Sequence, residues 1–179
     1  MKKIKRSSPF DQMAQQILYE FGKTRLSDLR STRRYEKVDI DDGRDVTEIV
    51  KRVQSVTPID LSSYTTEIVS RSTQPGFFMK WHIDDVAVVK LSKTHTPPAT
   101  AEIIGNRYLL FNNKKRPVYT AVIYLSKYGV DFTGGEFEFI DERIVPRKNH
   151  VLFFDSREVH RVLPVKTGTR DTMLIKYYG

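Results

Sequence analysis

From Tyr64 onward the sequence breaks into short apolar segments separated by turn residues, and that rhythm constrains the fold more than any other feature. Thr65 to Ser70, Phe77 to His82, Val118 to Leu125, Glu136 to Ile140, His150 to Phe154, Val159 to Val165 and Thr172 to Tyr178 are rich in β-branched and aromatic residues. Gln74-Pro75-Gly76 and Thr133-Gly134-Gly135 supply turn chemistry between them. Val86 to Leu91 has the pattern of a further strand, and residues 92–116 read as a long excursion carrying one apolar piece, Tyr108 to Phe111. About eight short strands following two helices predict a mainly β domain with flanking helices, a sandwich or barrel against which the N-terminal helices pack.

The upstream part reads differently. Residues 1–8 form a basic arm, with a flexible tail as the expectation. Ser8 has the character of an N-cap before Pro9, and Phe10, Met13, Ile17 and Phe21 keep helical spacing up to Gly22, which reads as the stop. The charged residues 23–43 read as a loop or lid. A second helix is predicted over Asp45 to Val53, with Val46, Ile49, Val50 and Val53 on one face and Pro58 as its latest end. The expected organisation is therefore one compact unit: an arm at 1–8, a helical scaffold and loop at 9–63, and a β core at 64–179.

Composition narrows the chemistry. A chain of 179 residues with 39% hydrophobic content can bury a real core. It has no cysteine, which excludes disulfides, thiolate metal sites and a cysteine nucleophile. No apolar run approaches the roughly 20 residues that cross a bilayer, and no apolar segment follows the basic N-terminus. A soluble intracellular protein, cytoplasmic or nuclear, is the expectation, with no membrane partner. The net charge of +8 favours an acidic partner such as nucleic acid, although the basic residues are scattered in small clusters such as Lys114-Lys115-Arg116.

Two stretches carry the chemistry. Phe77 to Asp84 ends an aromatic run in His82-Ile83-Asp84, and an extended chain points residues i and i+2 to the same side. Phe153 to His160 offers another histidine after another apolar strand. Two imidazoles and one carboxylate make the facial triad that suits non-haem Fe(II) and leaves coordination positions open. His95 and His150 read as surface residues, Asp85 and Arg161 alternate away from the ligands, and Trp81 reads as either a substrate-entrance residue or a cap on the core.

The order of these segments carries a resemblance. His82-x-Asp84 is followed by Tyr119-Thr120-Ala121-Val122-Ile123-Tyr124-Leu125-Ser126, by Gly134-Gly135-Glu136-Phe137-Glu138-Phe139, by Leu152-Phe153-Phe154 and His160, and by Val165 to Arg170. Over roughly residues 64–178 this resembles the Fe(II)/2-oxoglutarate-dependent dioxygenases, within them the prolyl 3- and 4-hydroxylase branch. The resemblance implies a double-stranded β-helix (jelly-roll) core, with His82, Asp84 and His160 as iron ligands and catalytic centre. It also implies Arg170, Tyr124 and Thr172 around the distal carboxylate of 2-oxoglutarate, O2 as oxidant, and room for ascorbate. Similar enzymes convert 2-oxoglutarate and O2 to succinate and CO2 while hydroxylating a C–H bond. A protein or peptide substrate follows, proline first. Nucleic-acid dealkylating relatives carry a second arginine where this chain has Lys176, which argues against oxidative demethylation. A non-catalytic jelly-roll module and a cupin-like protein without 2-oxoglutarate are the other readings; the oligomeric state is open.

Overall fold

The computed structural model describes residues 9–40, 45–84, 86–90, 102–104, 107–111 and 117–179. The basic arm with Ser8, the acidic pair Asp41-Asp42, Asp85, His95 and Lys114 to Arg116 lie outside these residues. Helix α1 (Pro9–Leu29) and a 3-10 turn lead into β1 (Arg34–Lys37), and α2 (Val46–Val56) follows. Next come β2 (Thr65–Thr73), β3 (Met79–His82), β4 (Val86–Lys90), β5 (Glu102–Ile104) and β6 (Arg107–Phe111). After them lie β7 (Tyr119–Tyr124), β8 (Phe132–Gly134), β9 (Phe137–Phe139), β10 (Arg143–Ile144) and β11 (His150–Asp155). The chain closes with β12 (His160–Val162), β13 (Val165–Gly168) and β14 (Arg170–Tyr178).

The strands sort into a five-stranded sheet ordered β1-β11-β7-β14-β2 and a four-stranded sheet ordered β10-β9-β12-β3, beside the smaller groups β13-β8 and β4-β6-β5. All strand pairs of the two main sheets are antiparallel. This is the jelly-roll architecture. The interior strands β7 and β11 are buried along almost their whole length because both of their faces are covered. Ala121, Ile123, Val151 and Phe153 pack outward with Ile49 and Val53 of α2. Val122, Tyr124, Leu152 and Phe154 pack inward with Phe137, Phe139 and Val162 from the smaller sheet. Period-2 alternation thus feeds two cores from one strand.

Helix α2 runs close to its predicted bounds. The Asp45 side chain accepts a hydrogen bond from the Glu48 amide (2.9 Å), satisfying one of the free donors of the first turn. Ile49 and Val53 are its buried positions, while Val46 is exposed. The predicted strand over Val159 to Val165 is two strands: Pro164 has no amide to donate and separates β12 from β13.

Helix α1 departs from expectation. It does not stop at Gly22 but continues to Leu29. Its buried positions are Leu18, Phe21 and Leu29, and Met13 is exposed. Gly22 is there for close approach: a Cβ at this position would lie 2.6 Å from Ile140 Cγ1 and 3.0 Å from Val159 Cβ. The helix covers the outer side of the smaller sheet, where Leu18 and Phe21 meet Ile83 and Val159. Gln15 completes the docking. Its amide donates to the Trp81 carbonyl (2.8 Å) and accepts from the Trp81 amide (2.7 Å), so a helix side chain occupies the backbone edge of β3 as a neighbouring strand would.

The predicted lid over 23–43 is also corrected. In place of a loop, residues 23–29 prolong α1 and residues 34–37 add an edge strand to the larger sheet. One of the charges that suggested solvent exposure, Arg33, is satisfied internally. Arg33 forks onto the buried Glu158 through Nε (3.2 Å) and Nη2, while its Nη1 reaches Asp141 and Glu142 (2.9 Å each). Its guanidinium lies 3.9 Å from the Phe139 ring centre.

Replacing Gly22 with alanine tests this packing, because helix propensity alone favours the change by about 1 kcal/mol. The contact with Ile140 and Val159 reverses the sign: we expect Gly22→Ala to destabilise the fold by about 1–2 kcal/mol in urea unfolding. A more stable variant would show that the helix–sheet contact yields freely.

Candidate metal and dicarboxylate site

The site forms where β3 and β12 pair. His82 and His160 stand directly opposite each other in register, with ring centres 4.2 Å apart. The strand ends at His82 and Asp84 lies in the turn beyond it, yet its carboxylate reaches both rings. Asp84 Oδ1 is 3.4 Å from Nε2 of His82 and 3.4 Å from Nε2 of His160. The three donor atoms lie within 4.8 Å of one another, a spacing a single ion can bridge.

Outer contacts fix the tautomers. Nδ1 of His82 donates to the Lys80 carbonyl (2.7 Å) and Nδ1 of His160 donates to the Glu158 carbonyl (2.9 Å). Each bond holds the proton on Nδ1 and turns a bare Nε2 towards Asp84. Thr120 donates weakly to Asp84 Oδ2 (3.4 Å) and shares a hydrogen bond with Ser156 (2.8 Å). Phe137 stacks on the His160 ring at 5.0 Å and Phe154 meets it edge-on at 5.1 Å. Burial alone would raise the Asp84 carboxyl, but His160 and then His82 outweigh it and hold the group well below the ordinary carboxylate range. Burial, reinforced by the neighbouring His82, lowers His160 and keeps it the neutral base a metal needs.

A cavity of about 110 Å3 runs from this triad between the sheets, lined by the aromatic Phe77, Phe137 and Phe154 and by Arg170, Thr172 and Lys176. Arg170 is 3% exposed at its inner end. Its Nε donates to the Gly135 carbonyl (3.1 Å), and it meets no carboxylate among the described residues. Gly135 has φ +66° and makes room for it, since a Cβ there would sit 2.7 Å from Arg170 Cδ. Tyr124 and Thr172 face each other in register on β7 and β14. Their buried hydroxyls have no hydrogen-bond partner among the described residues. Burial pushes the Tyr124 phenol up despite the nearby Arg170, so it remains a neutral donor. A buried cation beside two orphaned hydroxyls fits an anion with carboxylate geometry.

The structure thus brings His82, Asp84, His160, Arg170 and Thr172 to one cavity, with Tyr124 packed behind its lining, opposite Thr172 in register and 5.4 Å from the Arg170 guanidinium by its ring centre. It does not bring Trp81 there. That ring lies on the far side of β3, edge-on to Tyr19 at 5.7 Å and under Arg161 at 4.4 Å, because alternation sends it away from His82 and towards α1. Thr120, Ser156 and Arg71 were not assigned to the site from the sequence, and Lys176 stood out only as the position where dealkylating relatives carry a second arginine. Thr120 shares a strand face with Tyr124, and Lys176 shares one with Arg170, so period 2 could have found both. Arg71 needs the pairing of β2 with β14, which no local pattern reveals.

Comparison with known proteins identifies the family. The sequence profile described as the 2OG-Fe(II) oxygenase superfamily matches residues 68–178. The protein named 2-oxoglutarate and iron-dependent oxygenase domain-containing protein 3 is 43% identical in Xenopus tropicalis over 65 residues, which is 33% of this chain and 20% of that protein. The Homo sapiens protein of the same name is 42% identical over 65 residues, with the same coverage of both chains. The match spans about a fifth of the length of these relatives. Among solved structures, the viral collagen prolyl hydroxylase vCPH of Paramecium Bursaria Chlorella virus-1 superposes with a TM-score of 0.50 at 15% identity, covering 92% of this chain and 84% of that one. A Pseudomonas putida prolyl-4-hydroxylase gives 0.48 at 17%, covering 92% and 86%.

Asp84→Ala removes the atom shared by both imidazoles. We expect Mn(II) affinity measured by calorimetry to fall at least about tenfold, with the circular dichroism spectrum retained. Undiminished binding would move the metal away from this triad.

Proposed function

Because the chain belongs to the 2OG-Fe(II) oxygenase superfamily, we propose that it is an Fe(II)- and 2-oxoglutarate-dependent dioxygenase that hydroxylates a protein side chain, with proline as the first candidate. The observation that carries this reading is the buried Arg170, which meets no carboxylate among the described residues, in the cavity that ends at His82, Asp84 and His160; the unpartnered hydroxyl of Thr172 belongs to that cavity's lining residue and Tyr124, also unpartnered, stands opposite it in register. A dicarboxylate that also reaches the triad matches both ends of that cavity.

In this reading His82, Asp84 and His160 hold Fe(II), and Arg170, Tyr124 and Thr172 hold the distal carboxylate of 2-oxoglutarate. When bound, iron and cosubstrate together supply the oxidation of a substrate C–H bond by O2, with succinate and CO2 as coproducts. The chain's own residues do the rest. The Lys80 and Glu158 carbonyls keep the imidazole protons on Nδ1, so metal binding at Nε2 needs no change of tautomer. Phe137 and Phe154 wall His160 from water, which protects a reactive centre and strengthens the electrostatics inside. The Arg170 fork is held by the Gly135 carbonyl and fixes where the cosubstrate's far end sits. Proline leads as substrate through the resemblance of the Tyr119 to Leu125 and Gly134 to Phe139 segments to the prolyl hydroxylase branch.

The test is anaerobic titration of Fe(II)-loaded protein with 2-oxoglutarate, followed by the visible metal-to-cosubstrate charge-transfer band. We expect a saturable band that is lost in His160→Ala. In Arg170→Ala the half-saturating 2-oxoglutarate concentration should rise about 10- to 150-fold, corresponding to about 1.5–3 kcal/mol for a charged hydrogen bond. No band with iron bound would favour a metal-binding module, and an unchanged requirement in Arg170→Ala would place the carboxylate elsewhere.

A further inference from the structure

Charge within the cavity does not balance once its two expected guests are counted. Among the described residues Asp84 is the only acid that lines it, against three cations: Arg71, Arg170 and Lys176. A divalent metal is neutralised by Asp84 together with the one carboxylate of the cosubstrate that reaches it. The other carboxylate neutralises Arg170. Arg71 and Lys176 are left over. Both are half-buried, and neither has a carboxylate within salt-bridge distance among the described residues. Among the described residues the one polar contact of the Arg71 guanidinium is the Met79 sulfur, at 3.8 Å.

Their placement is specific. Arg71 stands opposite Thr172 in the register of β2 and β14, and Lys176 stands opposite Thr120, the residue that touches Asp84. The two cations therefore bracket the space between the anion site and the metal site. Glu67 pairs with Lys176 across the strands but is exposed, does not line the cavity, and accepts instead from the Tyr178 hydroxyl (3.4 Å). Half-burying two unpaired cations is unfavourable unless a ligand answers them.

Resting on the dioxygenase reading above, we propose that Arg71 and Lys176 select an acidic peptide, one carrying a carboxylate on the oxidised residue or immediately beside it. A peptide fits better than a nucleic acid, because a side-chain carboxylate on a short stem can reach two half-buried cations, whereas backbone phosphates are met by cations at the surface. The carboxylate meets the Arg71 fork and the Lys176 ammonium as charge-assisted hydrogen bonds, which orients the neighbouring C–H bond towards the metal.

The experiment uses full-length protein loaded with Mn(II), kept anaerobic and saturated with 2-oxoglutarate, whose binding is first measured by calorimetry. Peptide arrays with each amino acid at the centre are then compared in two versions, flanked by glutamate or by glutamine. We expect the glutamate series to bind at least about tenfold more tightly, and that preference to collapse in Arg71→Gln and in Lys176→Met while Lys176→Arg keeps it. Failure of 2-oxoglutarate to bind overturns the dioxygenase reading and this one with it. Normal 2-oxoglutarate binding with equal affinity for both series, with no peptide bound, or with a preference that survives both variants, overturns this inference alone. Single-stranded oligonucleotides binding in place of peptides, and losing affinity in the same variants, would overturn the peptide assignment in favour of nucleic acid.

Discussion

Everything at this site depends on the cross-strand pairing of His82 with His160. Antiparallel register brings the two imidazoles to 4.2 Å, and a turn immediately after β3 adds Asp84 beneath them. Strand pairing is a stiff way to hold ligands, since a slip of one residue would send both rings to the opposite face. The stiffness is reinforced from outside. Gln15 closes the free edge of β3, Arg33 anchors Glu158, and the Glu158 carbonyl in turn orients His160. A helix and a turn far upstream thereby hold the two strands in register.

The second half of the site is built on another sheet. Tyr124 and Thr172 come from the larger sheet, as does Arg170, while the triad lies along the smaller one and the turn after it. The cavity is the gap between the sheets, and its polar ends are set by which strands face each other. Gly135 links the two, because its carbonyl and its missing side chain both serve Arg170. A jelly roll can therefore vary its metal end and its anion end independently, provided the two sheets keep their spacing.

How much of this was legible depended on how local the signal was. Arg170 and Thr172 share a strand face by simple alternation, the His82-x-Asp84 spacing marked a ligand pair although Asp84 lies in the turn past the strand, and helix α2 follows from its apolar spacing and its Asp45 cap. Gly22 was misread because glycine at a helix end and glycine under a packed sheet look alike in one dimension. Arg33 and its neighbours looked like a solvated loop because their acidic partners, Asp141, Glu142 and Glu158, lie more than a hundred residues away. Trp81 was uncertain because which side of β3 holds the helix is a tertiary fact. The unanswered cations Arg71 and Lys176 become visible only when the lining of the cavity is assembled from strands distant in sequence.

The bridge from Arg33 to Glu158 spans 125 residues, and that from Gln15 to Trp81 spans 66. Loops of this length must close before any of these bonds forms, so they contribute nothing to early collapse. The consequence concerns timing. The metal-binding arrangement can form only after these distant segments have met. Until then His82 and His160 are separate imidazoles on an unfinished chain, and the geometry that favours iron belongs to the native state alone.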